Sequence, residues 1–244
     1  MLQSTSCLWS QIKNISLIIY IAYSLMKKAL VIGASGLVGK NVVYQLLKSN
    51  DYSKVVLILR KELTISDPKL EQHVINFDNM SEYADLFKVD EVFCCLGSTI
   101  KKAETKEAFE KVDRYYCFMA ATLARANGVT HFLMVSALGA NKYSNIFYNR
   151  VKGEAEDDVD KLGFLCTSIF RPSLLTGSRS EFRFSEWLGI MIMKPFSIFL
   201  KGKLQKYALI SGENVAKAMV KSASLYRGGK HIYEGDKIIS LLNV

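Results

Sequence analysis

Three side chains in the middle of the chain have the types and spacing of an acid/base site. Tyr148-Asn149-Arg150-Val151-Lys152 sets a phenol and an ammonium four residues apart, which puts both on one face of a helix. A tyrosine ordinarily ionises near pH ~10. A cation beside it favours the phenolate and makes the group a usable proton donor or acceptor. Ser136 ends an apolar run in Val135-Ser136-Ala137-Leu138-Gly139. A hydroxyl at the carboxyl end of a strand can hydrogen-bond a carbonyl oxygen as negative charge develops there. Ser136, Tyr148 and Lys152 together describe proton transfer at a carbonyl or an alcohol.

A second group of residues lies upstream. The apolar run Ala29-Leu30-Val31-Ile32 leads straight into Gly33-Ala34-Ser35-Gly36-Leu37-Val38-Gly39. Gly33 permits a tight turn out of a strand, Gly36 lets the backbone approach a diphosphate, and Gly39 lets the following helix pack close to the sheet. The helix mouth offers free N–H groups and partial positive charge to phosphates. A nicotinamide dinucleotide is therefore expected on Gly33, Ser35, Gly36, Leu37, Val38 and Gly39, with Tyr148 and Lys152 reaching its nicotinamide ribose. The residue after the second apolar run, Leu57-Ile58-Leu59, is Arg60, close to the offset of about 20 residues at which such sites read the adenine ribose. A guanidinium there pairs with a 2′-phosphate, so NADP(H) is expected ahead of NAD(H), with Glu62 the dissenting neighbour.

Elements that could position these residues alternate along the chain. Strands are predicted over 29–32, 55–59, 72–76, 91–96, 131–135 and 166–170, and helices over 36–48, 106–126 and 148–162. A late helix over 213–225 and a last strand over 231–233 follow. This order implies right-handed crossovers and a doubly wound parallel α/β sheet of the Rossmann type. At 244 residues one domain is the economical reading, spanning 27–244, with 173–211 as a small substrate-side lid. Residues 187–200 of that lid are largely apolar, and core packing accounts for most of them.

Composition narrows the classes. The net charge of +9 is spread along the chain without a nucleic-acid-binding pattern, so a basic surface rather than a nucleic-acid footprint is expected. The five cysteines and three histidines have no metal-ligand spacing, and the adjacent pair Cys94-Cys95 points to opposite faces of a strand. Reduced thiols and a cytoplasmic location are expected. Residues 15–25 are apolar but shorter than the ~20 a bilayer helix needs. Residues 1–26 are read as an extension, either a mis-assigned start or, as the alternative, an interfacial helix, the one segment through which membrane contact is open.

The stretches Ala29–Gly39, Phe93–Ser98, Val112–Tyr116, His131–Ala140, Tyr148–Glu154 and Phe170–Pro172 together resemble the atypical short-chain dehydrogenases/reductases, in the branch of the Tat-interacting oxidoreductases and their bacterial relatives. The resemblance implies that Leu96 and Gly97 line the cofactor, that Asp78 lies near the adenine, and that Pro172 and Leu174 touch the nicotinamide end. It maps Ser136, Tyr148 and Lys152 onto the catalytic triad. Where many short-chain dehydrogenases add an asparagine, this chain has Asp113, which goes against a four-member proton relay. The expected function is an NADP(H)-dependent oxidoreductase acting on a small molecule, as a monomer or homodimer. A dinucleotide-sensing regulatory protein is the alternative, and a nucleotide-sugar epimerase or dehydratase ranks third.

Overall fold

The computed structural model describes residues 26–176, 209–225 and 227–243. The extension expected over 1–25 and most of the substrate-side segment lie outside the described residues. Strands β1 (Lys27–Ile32), β2 (Tyr52–Leu59), β3 (Leu70–Val74), β4 (Glu91–Cys94), β5 (His131–Val135), β6 (Cys166–Arg171) and β9 (Gly229–Glu234) form a parallel sheet in the order β3-β2-β1-β4-β5-β6-β9. A two-stranded pair, β7 (Leu175–Thr176) and β8 (Ile210–Ser211), stands apart.

Strand β1 is apolar on both faces because both faces are covered. Ala29 and Val31 join one core cluster with Val38, Val42 and Leu46 of helix α1 (Leu37–Lys48) and Val215 and Met219 of α6 (Gly212–Leu225). Leu30 and Ile32 join the other, with Ala120 and Ala124 of α4 (Tyr116–Ala126) and Ala155 and Val159 of α5 (Phe147–Asp160). Successive side chains of a strand alternate in direction, so one run of four apolar residues serves two cores. The short helices α2 (Ile100–Ala103) and α3 (Lys106–Glu110) precede α4, and α7 (Gly235–Ser240) follows β9.

The expected element types hold, with shifted bounds. β2 begins at Tyr52 rather than 55, since Lys27 pairs with Tyr52 across an irregularity and the Tyr52 hydroxyl donates to Glu91 Oε2 at 2.5 Å. The helix expected over 106–126 is interrupted by a π-helical turn at Lys111–Tyr115. Asp113, within that turn, is buried. Among the described residues, no helix is long and apolar enough to cross a membrane.

Candidate active site

The strand order reverses direction between β1 and β4, and in open parallel sheets ligands bind at the carboxyl ends of the strands beside such a switch. Gly33 leaves β1 with φ +83°, and a β-carbon on it would lie 2.5 Å from the Cys95 carbonyl oxygen after β4. The turn thus needs glycine both for its backbone angle and for the close approach of the two loops. Gly36 accepts the N-cap position of α1, its N–H bonded to Gly33 O at 2.9 Å. A β-carbon on Gly39 would meet Gly33 O at 2.2 Å, so the helix lies directly on the turn. No side chain caps α1 and no acidic residue occupies its first turn. The first-turn amides are left to an anionic ligand, which is the chemistry a diphosphate requires. Ser35 is exposed, Leu37 half-buried and Val38 buried, all within this mouth.

Arg60 stands exposed just past the end of β2, on the same sheet edge. Gln72 of β3 staples the following loop, accepting from Leu63 N and donating to the carbonyls of Leu63 and Ile65. Asp78 is exposed at the start of a 3₁₀ stretch (Phe77–Phe87), bound by the Tyr116 hydroxyl and by Lys111 Nζ, each at 2.7 Å. These two partners hold its carboxyl below the usual range. Pro172 is buried and Leu174 half-buried past β6, with Leu138 N donating to Pro172 O at 3.1 Å.

The three candidate acid/base residues lie just past the end of β5 and on α5. Ser136 follows β5, and its Oγ is buried with no hydrogen-bond partner among the described residues. A buried hydroxyl without a partner is costly, and it suits a group that waits for a substrate oxygen. Tyr148 and Lys152 lie one turn apart on α5. A β-carbon on Gly153 would lie 2.2 Å from Lys142 N, so this helix packs directly on the loop that follows Ser136. The Phe109 ring covers Tyr148 at 5.4 Å between centroids.

Asp113 is the residue whose weight the sequence reading missed. Its Oδ1 lies 2.6 Å from Lys152 Nζ, with the side chains 0% and 5% exposed, and its Oδ2 accepts from Ser98 N at 2.8 Å. Its neighbours Glu110, Lys111 and Arg114 are also charged, so an acid at 113 carried no sequence signal of burial. Burial alone would lower Lys152, but Asp113 and Tyr148 outweigh it and hold the ammonium charged well above the lysine range. Burial pushes the Tyr148 phenol up, Lys152 draws it down, and Asp113 adds to the rise. Leu96 and Gly97 lie between these groups and the glycine turn, a Gly97 β-carbon falling 3.7 Å from Lys152 Nζ. Cys94 and Cys117 sit below, their sulfurs 3.5 Å apart.

Residues 33–185 match the NAD(P)H-binding family. The chain belongs to it. This NAD(P)H-binding chain is an atypical short-chain dehydrogenase/reductase related to protein HTATIP2 of Rattus norvegicus, which is 42% identical over 166 residues, 66% of this chain and 68% of that protein. Protein FMP52, mitochondrial, of Candida albicans is 29% identical over 87% of this chain and 97% of its own length. Its counterpart in Debaryomyces hansenii is 32% identical over 80% and 87%. The naming of these relatives as mitochondrial overturns the cytoplasmic expectation; scattered reduced thiols do not distinguish one reducing compartment from another. Among solved structures, the Bordetella bronchiseptica enzyme WbmH in complex with NAD+ superposes with a TM-score of 0.63 at 17% identity, covering 86% of this chain and 76% of that one. MoeE5 in complex with UDP-glucose and NAD reaches 0.65 at 15% identity, covering 87% and 80%. At such identities these two establish the Rossmann fold.

Proposed function

We propose that the protein is an NADP(H)-dependent oxidoreductase of the short-chain dehydrogenase type, interconverting a carbonyl and an alcohol on a small molecule. The observation that carries this reading is the Tyr148–Lys152 pair on one face of α5, its lysine fixed by Asp113 beside Gly97. Tyr148 Oη exchanges the proton with the substrate oxygen. Ser136 Oγ donates a hydrogen bond to that oxygen as charge grows on it. Lys152 tunes the phenol and holds the nicotinamide ribose. When bound, the dinucleotide supplies or takes the hydride. Gly33, Ser35, Gly36, Leu37, Val38 and Gly39 hold the diphosphate, Asp78 stands near the adenine, Leu96 and Gly97 line the middle, and Pro172 and Leu174 meet the nicotinamide end. Arg60 pairs with the 2′-phosphate and sets the preference for NADP(H).

Calorimetric titration with NADPH and NADH, followed by a carbonyl panel monitored by NADPH oxidation, tests the reading. The expected result is tighter binding of NADPH, with the preference lost in Arg60→Ala. Turnover of a panel member should fall by 10²-fold or more, on the order of a lost acid/base catalyst, in Tyr148→Phe, with NADPH affinity nearly unchanged. Equal affinity for both dinucleotides would remove the cofactor assignment. Binding without turnover of any carbonyl would leave a dinucleotide-responsive regulatory protein in its place.

A further inference from the structure

Asp113 ties three pieces of the site together. One carboxylate oxygen meets Lys152 Nζ on α5, and the other takes the Ser98 N–H in the loop after β4. The carboxylate itself is presented by the π-helical turn. Gly97 is so close that a β-carbon there would lie 3.6 Å from Asp113 Oδ1. We propose that Asp113 is a positioning residue that clamps Lys152 under the 96–98 loop and offsets its charge, so that Tyr148 serves as the proton donor and the site favours carbonyl reduction. This rests on the acid/base role proposed for Tyr148.

The physical case is one of charge balance. The charged groups acting on Tyr148 include Lys152 on its own helix and Asp113 on the π-helical turn. Phe109 of α3 covers the ring without charge, and the thiols of Cys94 on β4 and Cys117 on α4 face Lys152 from below. A lone buried ammonium one turn away would draw the phenol strongly toward its anion. With a carboxylate 2.6 Å from that ammonium, Tyr148 sees a near-neutral pair instead. Burial then dominates and the proton stays on Tyr148 Oη through the neutral range. In reduction that proton moves to the carbonyl oxygen while a hydride from the reduced dinucleotide adds to the carbon and the C=O π bond breaks; the phenolate regains a proton from water. The neutral amide of an asparagine at 113 could still accept from Ser98 N but would leave the ammonium unbalanced.

The test reads Tyr148 directly in the ligand-free protein, so it can fail without touching the cofactor assignment. Protein labelled with ¹³Cζ-tyrosine is titrated by NMR, the Tyr148 resonance being the one absent from Tyr148→Phe. In Asp113→Asn the Tyr148 midpoint should fall by about one pH unit or more. In the double variant Asp113→Asn/Lys152→Met, which replaces both charges by neutral groups of similar size, it should return to within about half a unit of wild type. If Asp113→Asn does not fold, the double variant alone carries the test. An unchanged midpoint in the single variant, or a shift of more than about a unit in the double, overturns the proposal.

Discussion

Ser136 separates a structural from a chemical role at the level of one side chain. Its hydroxyl is buried and bonded to no described group, a state that costs about 1–3 kcal/mol when nothing compensates it. Ser136→Ala removes that cost and little else, since Ser136 N still donates to Phe170 O. The melting temperature of Ser136→Ala should equal or exceed that of wild type, while turnover falls by roughly 10²–10³-fold, as on removal of one oxyanion donor. A lower melting temperature with unaltered turnover would make Ser136 an ordinary core residue. Lys152 is the converse case. Taking away its partner leaves a buried charge, so Asp113→Ala should cost about 3–5 kcal/mol by urea denaturation.

At the scale of elements, the glycines of the first turn do two jobs that a ligand-free loop would not need together. A β-carbon on Gly39 would lie 2.2 Å from Gly33 O, a backbone atom that cannot swing aside. Gly39→Ala must push α1 off the turn, at about 1–3 kcal/mol for an overpacked contact, and thermal protection by NADPH should vanish. Gly128→Ala is the matched control: its φ is +81° but nothing lies within 4 Å of the added carbon, so the protein should lose about 1–2 kcal/mol of stability and keep its protection by NADPH. Loss of protection in both variants would show that the effect is not local to the turn. The turn, the strand before it and the Tyr-x-x-x-Lys helix were legible in sequence because each depends on spacing within a few residues. The Asp113–Lys152 pair was not, because it joins positions 39 apart through a π-helical turn that no periodicity announces. Gly153 was equally silent: a glycine inside a helix reads as a weakness, and only the 2.2 Å approach of Lys142 N shows why it is there.

Across the whole molecule the two edges of the sheet carry opposite kinds of polar group. The carboxyl edge holds Ser136, Tyr148 and Lys152, while the amino edge holds a buried network of its own. There Glu91 takes bonds from Lys27 at 2.6 Å and Tyr52 at 2.5 Å, and His131 Nε2 meets Ser168 Oγ at 2.9 Å. Burial, helped by the Lys27 and His231 charges, holds His131 down to about 4, against 6.5 when it is unperturbed. Between those values the unfolded chain binds the proton and the fold refuses it, so the stabilisation present above pH 6.5 is lost as pH falls toward 4. At about 1.4 kcal/mol per unit this amounts to about 3 kcal/mol. Glu91 has the opposite sign, because burial raises it and the fold then takes up a proton before the unfolded chain does. The net acid slope is therefore smaller than His131 alone dictates, and the variant His131→Gln isolates the histidine's share. Unfolding free energies from urea denaturation at pH 7, 5.5 and 4 should fall more steeply for wild type than for His131→Gln, with the two curves converging by about 3 kcal/mol at the acid end. Parallel curves would mean that His131 already carries its proton in the fold, and that the amino edge is not the dry network its hydrogen bonds describe.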